Sequence, residues 1–263
     1  MTLGIIGYGT MAEAIYTSLK TTPTNCLIYD IDPQKQQQIT QTSTQQNATL
    51  SDILSQASTI LLAIKPQHLP QLRHHLSAKT KAVIVSILAG VQLKTLESYF
   101  YPNTAIIRAM PNTPIQVHSG TTICCPNNHC DSLQQQNGYK LFNNASKVFT
   151  LSEDSFDTIT GLCGSSPAFF YRIIQHMAQS QHKLSTTDAI ELIAHSMIGA
   201  ANMVLHSKKT IDTLIQDVSS PNGTTIAGLN KFDHENIGQR LEKMLQASIA
   251  RATELGLENK SNP

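Results

Sequence analysis

Tryptophan is absent, aromatic residues make up only 5% and charged residues only 14% of the 263 positions. Nineteen Lys and Arg face eighteen Asp and Glu, a formal net charge of +1 with no long basic or acidic block. That balance removes the electrostatic reason to expect nucleic acid or an anionic membrane as partner, and leaves small neutral solutes and small acids. Long apolar runs are missing too. The longest, Ala82 to Val91, is interrupted by Ser86 and reads as a strand, short of the ~20 residues of a bilayer span. Five cysteines are an odd number in a chain this long, which argues for reduced thiols rather than a disulfide framework. Cys124, Cys125, His129 and Cys130 lie close together, but neighbours on a strand face opposite sides, so no metal is expected there. The chain opens on a strand pattern with no basic, apolar signal segment ahead of it, which points to a cytoplasmic location.

What is present begins with that strand. Leu3 to Ile6 runs into Gly7, Tyr8, Gly9, Thr10, Met11, Ala12, a G-x-G-x-x-A pattern that opens a helix. Gly7 permits the tight turn, Gly9 lets a pyrophosphate approach the backbone, and Ala12 allows close helix–strand packing. Thr10 and Glu13 have the spacing of a capping box. The next strand, Cys26 to Tyr29, ends at Asp30, where the dinucleotide fingerprint places an acid for the ribose hydroxyls. An acid there favours NADH by repelling a 2′-phosphate, although Lys35 is near in sequence. Gln34 to Gln46, rich in Gln, Thr and Ser, reads as a solvated helix running into a loop, and His74 and His75 read as solvated.

Further strands follow at Ser58 to Ile64, Ala82 to Ile87 and Ala105 to Met110, then at Gly120 to Cys125 and Lys147 to Thr150. In an open parallel sheet the ligand lies beyond the carboxyl ends of the strands. The dinucleotide is therefore expected along Ile6, Gly7, Tyr8, Gly9, Thr10 and Met11, at Asp30, along Ala63, Ile64, Lys65 and Pro66, and at Leu88, Ala89 and Asn112. Lys65 is either a cofactor contact or a surface lysine. Asn112, between two prolines, is either a hydrogen-bond partner for the nicotinamide amide or part of a stiff turn.

From Ser152 onward the strand pattern gives way to helices, which sets a boundary between residues 1–151 and 152–263. Pro167 to Gln181 has one broad apolar face, while Ala189 to Leu205 is apolar on several sides and rich in Ala and Gly. In so short a half-chain, a second subunit is the expected source of cover. Ile237 to Leu255 closes the chain as an amphipathic helix. Between them lies Ser219, Ser220, Pro221, Asn222, Gly223, Thr224, Thr225. Asn222 and Gly223 tolerate positive φ, and Thr224 is a suitable N-cap, so the segment reads as a sharp turn into a helix start. Backbone N–H groups at such a start cradle an anion, most naturally a carboxylate.

Taken together, GIIGYGTMAEAI at the start, LAIKPQ at Leu62 to Gln67, RAMPNTP at Arg108 to Pro114, GLCGSSPAF from Gly161, DVSSPNGTTIAGL from Asp217 and ARATELG near the end resemble pyrroline-5-carboxylate reductase, the enzyme that makes proline from a cyclic imine. The resemblance covers nearly the whole chain. It implies an α/β Rossmann-type domain with a parallel-rich sheet followed by an all-α dimerisation domain, a homodimer that often assembles into rings, and reduction by NADPH or NADH. It also implies that the Ser220 to Thr225 loop, with Gly223 and Thr224, holds the substrate carboxylate, with Thr225 near the ring nitrogen; Glu153 is a further candidate substrate contact. Ser166 and Asn222 stand where the family has Gly, so a positive φ at Ser166 would cost roughly 1 to 2 kcal/mol. Two other readings are kept: a Rossmann reductase for another small imine or hydroxy acid, and a catalytically impaired nicotinamide-binding regulator.

Overall fold

The computed structural model describes residues 2–19, 25–32, 34, 35, 39 and 45–258. Near-continuous apolar stretches at β1 (Thr2–Ile6), β2 (Asn25–Tyr29), β4 (Thr59–Leu62) and β5 (Val83–Ser86) are the pattern of strands covered on both faces. They form the parallel centre of an eight-stranded sheet. Its other members are β3 (Gln45–Asn47), β6 (Ile106–Pro111), β7 (Gly120–Pro126) and β8 (Ser146–Thr150), in the order β3-β2-β1-β4-β5-β6-β7-β8. β7 runs antiparallel to β6, and β8 is parallel to β7. Ile6 is opposite Tyr29 on one side and Leu62 on the other, so the loops after β1, β2 and β4 leave the sheet side by side.

Both faces of the sheet are packed. On one, Ile53 of α2 (Leu50–Gln56), Leu69, Leu76 of α3 (Arg73–Leu76), Leu96 of α4 (Leu93–Glu97) and Phe156 join the β4 and β5 side chains. On the other, Ile15 of α1 (Thr10–Ser18) packs with Leu141 and Phe142, which follow α5 (Ser132–Tyr139). Cys125 belongs to the first cluster and Cys124 to the second, as strand alternation requires. Burial pushes the Cys124 thiol up to about 12. All five cysteines are free.

The chain divides into two compact units, the first reaching Ser165 and taking in the residues from Ser248 on, the second spanning Ser166–Ala247. The sheet ends at Thr150, next to the expected boundary at 151/152. Beyond it Phe156 and Ile159 of α6 (Phe156–Ile159) are buried in the first unit's core, and a π-helical turn, Thr160–Ser165, completes that unit. The second unit holds α7 (Ser166–Gln179), α8 (Thr186–His206), α9 (Ile211–Asp217), α10 (Thr224–His234) and the first half of α11 (Ile237–Glu258). Among the described residues α8 is long and apolar enough, by length and composition, to cross a membrane, contrary to the expectation of no such segment. Asp188, Glu191 and His195 interrupt its apolar run in sequence. Leu192, Ile198 and Leu205 are left exposed on the single chain.

Three local expectations differ from the structure. Gly9 and Gly223 are the N-caps of α1 and α10, so Thr10 and Thr224 sit one place inside their helices and neither helix has a side-chain cap. The segment Gln34 to Gln46, whose residues 36–38 and 40–44 lie outside the described ones, ends in β3, an edge strand without apolar residues. Ser166 is not among the positive-φ residues and begins α7, so the penalty foreseen for it does not arise.

Candidate active site

The order of the sheet reverses at β1 and β4, and a groove of about 250 Å³ opens there beyond the strand ends. This is the switch point at which open α/β sheets bind their ligands. Gly7, Tyr8 and Gly9 line it from β1, Asp30 from β2, and Ala63, Ile64 and Lys65 from β4. Gly7 has φ +89°, and a Cβ on it would meet the Ala63 carbonyl group at 2.9 Å, so no other residue fits. A Cβ on Gly9, by contrast, would meet nothing within 4 Å. The backbone at Gly9 is thus open to close approach by a pyrophosphate, and the residues fit a dinucleotide.

Asp30 is held firmly. Its Oδ2 accepts from the Tyr8 N–H at 2.6 Å and its Oδ1 from the Asp32 N–H at 2.9 Å, which ties the glycine turn to the end of β2. Tyr29, Ile31, Asp32 and Lys35 line the same end of the groove. So do His68, Gln71 and Leu72 of the 3₁₀ helix Pro66–Leu72. The sequence reading missed these last three. Their signal is a period of three from Lys65 through His68 to Gln71, the repeat of a 3₁₀ helix.

Other predicted cofactor residues lie outside the groove. Ile6 and Leu88 are buried in the core, and Met11 is packed against the opposite cluster. Thr10 is the first residue of α1, Pro66 opens the 3₁₀ helix, and Ala89 follows Leu88 in the loop after β5. Asn112 is buried with its side chain engaged at both ends, Oδ1 accepting from the Thr121 N–H at 2.8 Å and Nδ2 donating to the Cys163 carbonyl at 3.1 Å. One Nδ2 hydrogen and one Oδ1 lone pair are thereby taken up by the protein. Glu153 is likewise committed: its Oε1 takes the Arg108 guanidinium at 2.8 Å and the Leu93 N–H, at the start of α4, at 2.7 Å. Arg108 is itself buried and lies 4.4 Å over the Phe156 ring. Glu153 Oε1 is thus part of a clamp that joins β6, α4 and the junction segment.

In the second unit, Ser220, Asn222 and Gly223 form a tight turn closed by Gly223 N–H to the Ser220 carbonyl at 3.0 Å. Asn222 adopts φ +59°, which the amide side chain tolerates. A Cβ at Gly223 would meet Ser220 Oγ and lie 3.0 Å from the Ser220 carbonyl oxygen, so a larger residue there would have to displace Ser220. With no side-chain cap on α10, the N–H groups of Thr224, Thr225 and Ile226 are those a helix start leaves unpaired. Thr224 and Thr225 are exposed on the single chain. This is a cradle for an anion with a hydroxyl at its rim.

Comparison with known proteins bears on both halves. Residues 153–255 match the family model described as pyrroline-5-carboxylate reductase dimerisation, and residues 2–90 the one described as NADP oxidoreductase, coenzyme F420-dependent. A pyrroline-5-carboxylate reductase of Synechocystis sp. is 31% identical over 97% of this chain and 98% of its own, and one of Haemophilus influenzae is 31% identical over 96% and 97%. The solved 1-pyrroline-5-carboxylate reductase of Streptococcus pyogenes superposes with a TM-score of 0.88 at 28% identity, covering 97% of this chain and 98% of that one. A Plasmodium falciparum pyrroline carboxylate reductase with NADP bound shares the fold at a TM-score of 0.84 and 22% identity, over 97% of this chain and 98% of its own.

Proposed function

The chain belongs to the pyrroline-5-carboxylate reductase family, and from that premise we infer that it reduces the C=N bond of 1-pyrroline-5-carboxylate to give L-proline. The observation that carries the reading is full-length similarity to these enzymes at 31% identity. NAD(P)H supplies the hydride. The residues at the switch-point groove bind its pyrophosphate at Gly7 to Gly9 and its adenosine ribose at Asp30, and the fixed carboxylate of Asp30 supports a preference for NADH.

The turn Ser220 to Thr225 takes the substrate carboxylate on backbone N–H groups, each charge-assisted bond contributing about 1.5 to 3 kcal/mol. The Thr225 hydroxyl hydrogen-bonds the ring nitrogen. An imine accepts a proton from water near neutral pH, so the protein contributes mainly by orientation, which is worth several kcal/mol when both reactants are fixed. The apolar surface of α8 is covered by a second copy of the chain, consistent with the dimerisation family to which residues 153–255 correspond. Five free thiols support a cytoplasmic location.

The experiment is oxidation of NADH and of NADPH by purified protein given pyrroline-5-carboxylate, with 2-hydroxy acids and NAD+ as reverse-direction controls. Turnover with the imine and none with the hydroxy acids is expected. Turnover with the hydroxy acids alone, or none at all, overturns the reading.

A further inference from the structure

Alternate residues of a strand share one face. Arg108 and Met110 of β6, and Asn112 just past its end, grip successive points of the segment that leads from β8 to α7. Arg108 holds Glu153 and covers Phe156. The Met110 sulfur lies against Gly164, 3.7 Å from where a Cβ there would be. Asn112 donates to the carbonyl of Cys163. Two of the three contacts fall on the π-helical turn Thr160–Ser165. Such turns are rare and concentrate at functional sites. The Thr121 N–H fixes which end of the Asn112 amide is the acceptor, so the donor end has only one direction to point.

A dinucleotide whose adenosine half sits over β1 and β2 continues along the strand ends, past β4 and β5, toward β6. Carried that far, its reactive ring would lie near the end of β6, where Asn112 and the π-turn meet. We propose that Asn112 is a positioning residue for hydride transfer: by holding the Cys163 carbonyl it sets the wall against which the reduced nicotinamide is oriented. It acts through that carbonyl, since both ends of its amide are engaged with the protein. The inference rests on the reductase reading above.

Asn112→Asp keeps the shape and the bond from Thr121 but turns an acceptor toward the Cys163 carbonyl; Asn112→Ser removes both bonds. Both are assayed beside wild type for reduced-cofactor affinity by fluorescence titration, for kcat, for the primary isotope effect with 4-deuterated cofactor, and for folded content by circular dichroism. Cofactor affinity is expected to stay within about threefold while kcat falls by about 10² and the isotope effect rises, the signature of a misplaced hydride donor. If both variants keep kcat within about threefold, or lose it only in step with cofactor affinity or folded content, the assignment is overturned. A wild-type protein inactive in this assay would instead overturn the reductase reading itself.

Discussion

Replacing Asp30 by serine removes a carboxylate that the fold pins at the Tyr29–Lys35 end of the groove, where Asp32 also lies. The two backbone bonds, 2.6 and 2.9 Å, prevent the side chain from swinging away from a 2′-phosphate without losing both. That phosphate carries about 1.5 to 2 negative charges. At 4 to 6 Å, with an effective dielectric between 20 and 80, each pair of unit charges repels by roughly 0.7 to 4 kcal/mol. Lys35, in the same groove, offsets part of this. A net 1.5 to 3 kcal/mol remains, about ten- to a hundredfold in cofactor discrimination. Wild-type protein should therefore show a kcat/KM for NADH about ten- to a hundredfold above that for NADPH, and Asp30→Ser should move the ratio toward NADPH by at least about tenfold with KM for the imine unchanged. Salt at about 1 M should shrink the difference, because exposed charges are screened. A wild type that prefers NADPH, or a ratio that Asp30→Ser leaves in place, refutes the reasoning.

Thr225→Ala is expected to lower turnover by about 10² while leaving NAD(P)H binding intact; lost cofactor affinity with retained turnover would remove Thr225 from the substrate side. Glu153→Gln leaves the Arg108 cation, 5% exposed, without its counter-charge. Because Glu153 itself is 27% exposed, the cost falls below that of a fully buried pair, to about 2 to 3 kcal/mol, or roughly 5 to 10 °C in melting temperature by calorimetry. A shift under about 1 °C would show that the clamp holds nothing. Ile198→Glu, on the exposed apolar side of α8, should raise the dimer dissociation constant by about 10², the cost of an unpaired charge at a covered surface. Unchanged sedimentation at micromolar protein would point to another surface.

The parts of the fold legible in sequence are those written locally. The central strands announce themselves as apolar runs, and the glycine turn and Asp30 stand at the spacing that a strand, a turn and a helix impose. β3 escapes the same reading because an edge strand with one polar flank needs no apolar residue. The roles of Glu153 and Asn112 escape it for a different reason. Their partners lie 45 and 51 residues away in sequence, and nothing in the local pattern of a carboxylate or an amide says whether it will meet a ligand or the protein itself. Thr10 and Thr224 show the limit of capping rules: with glycine just before, each helix starts one residue early and the hydroxyl falls inside it.

The one antiparallel pairing among the described residues, β6 with β7, has a consequence for how the chain reaches its native state. Those strands are joined through residues 112–119 and can zip by closing a short loop, whereas the parallel neighbours around β1 must wait for long crossovers to be brought back. During synthesis the amino-terminal strands leave the ribosome first, yet they are the costlier ones to assemble. The region around the glycine turn is thus born early and completed late, against an edge that has already formed.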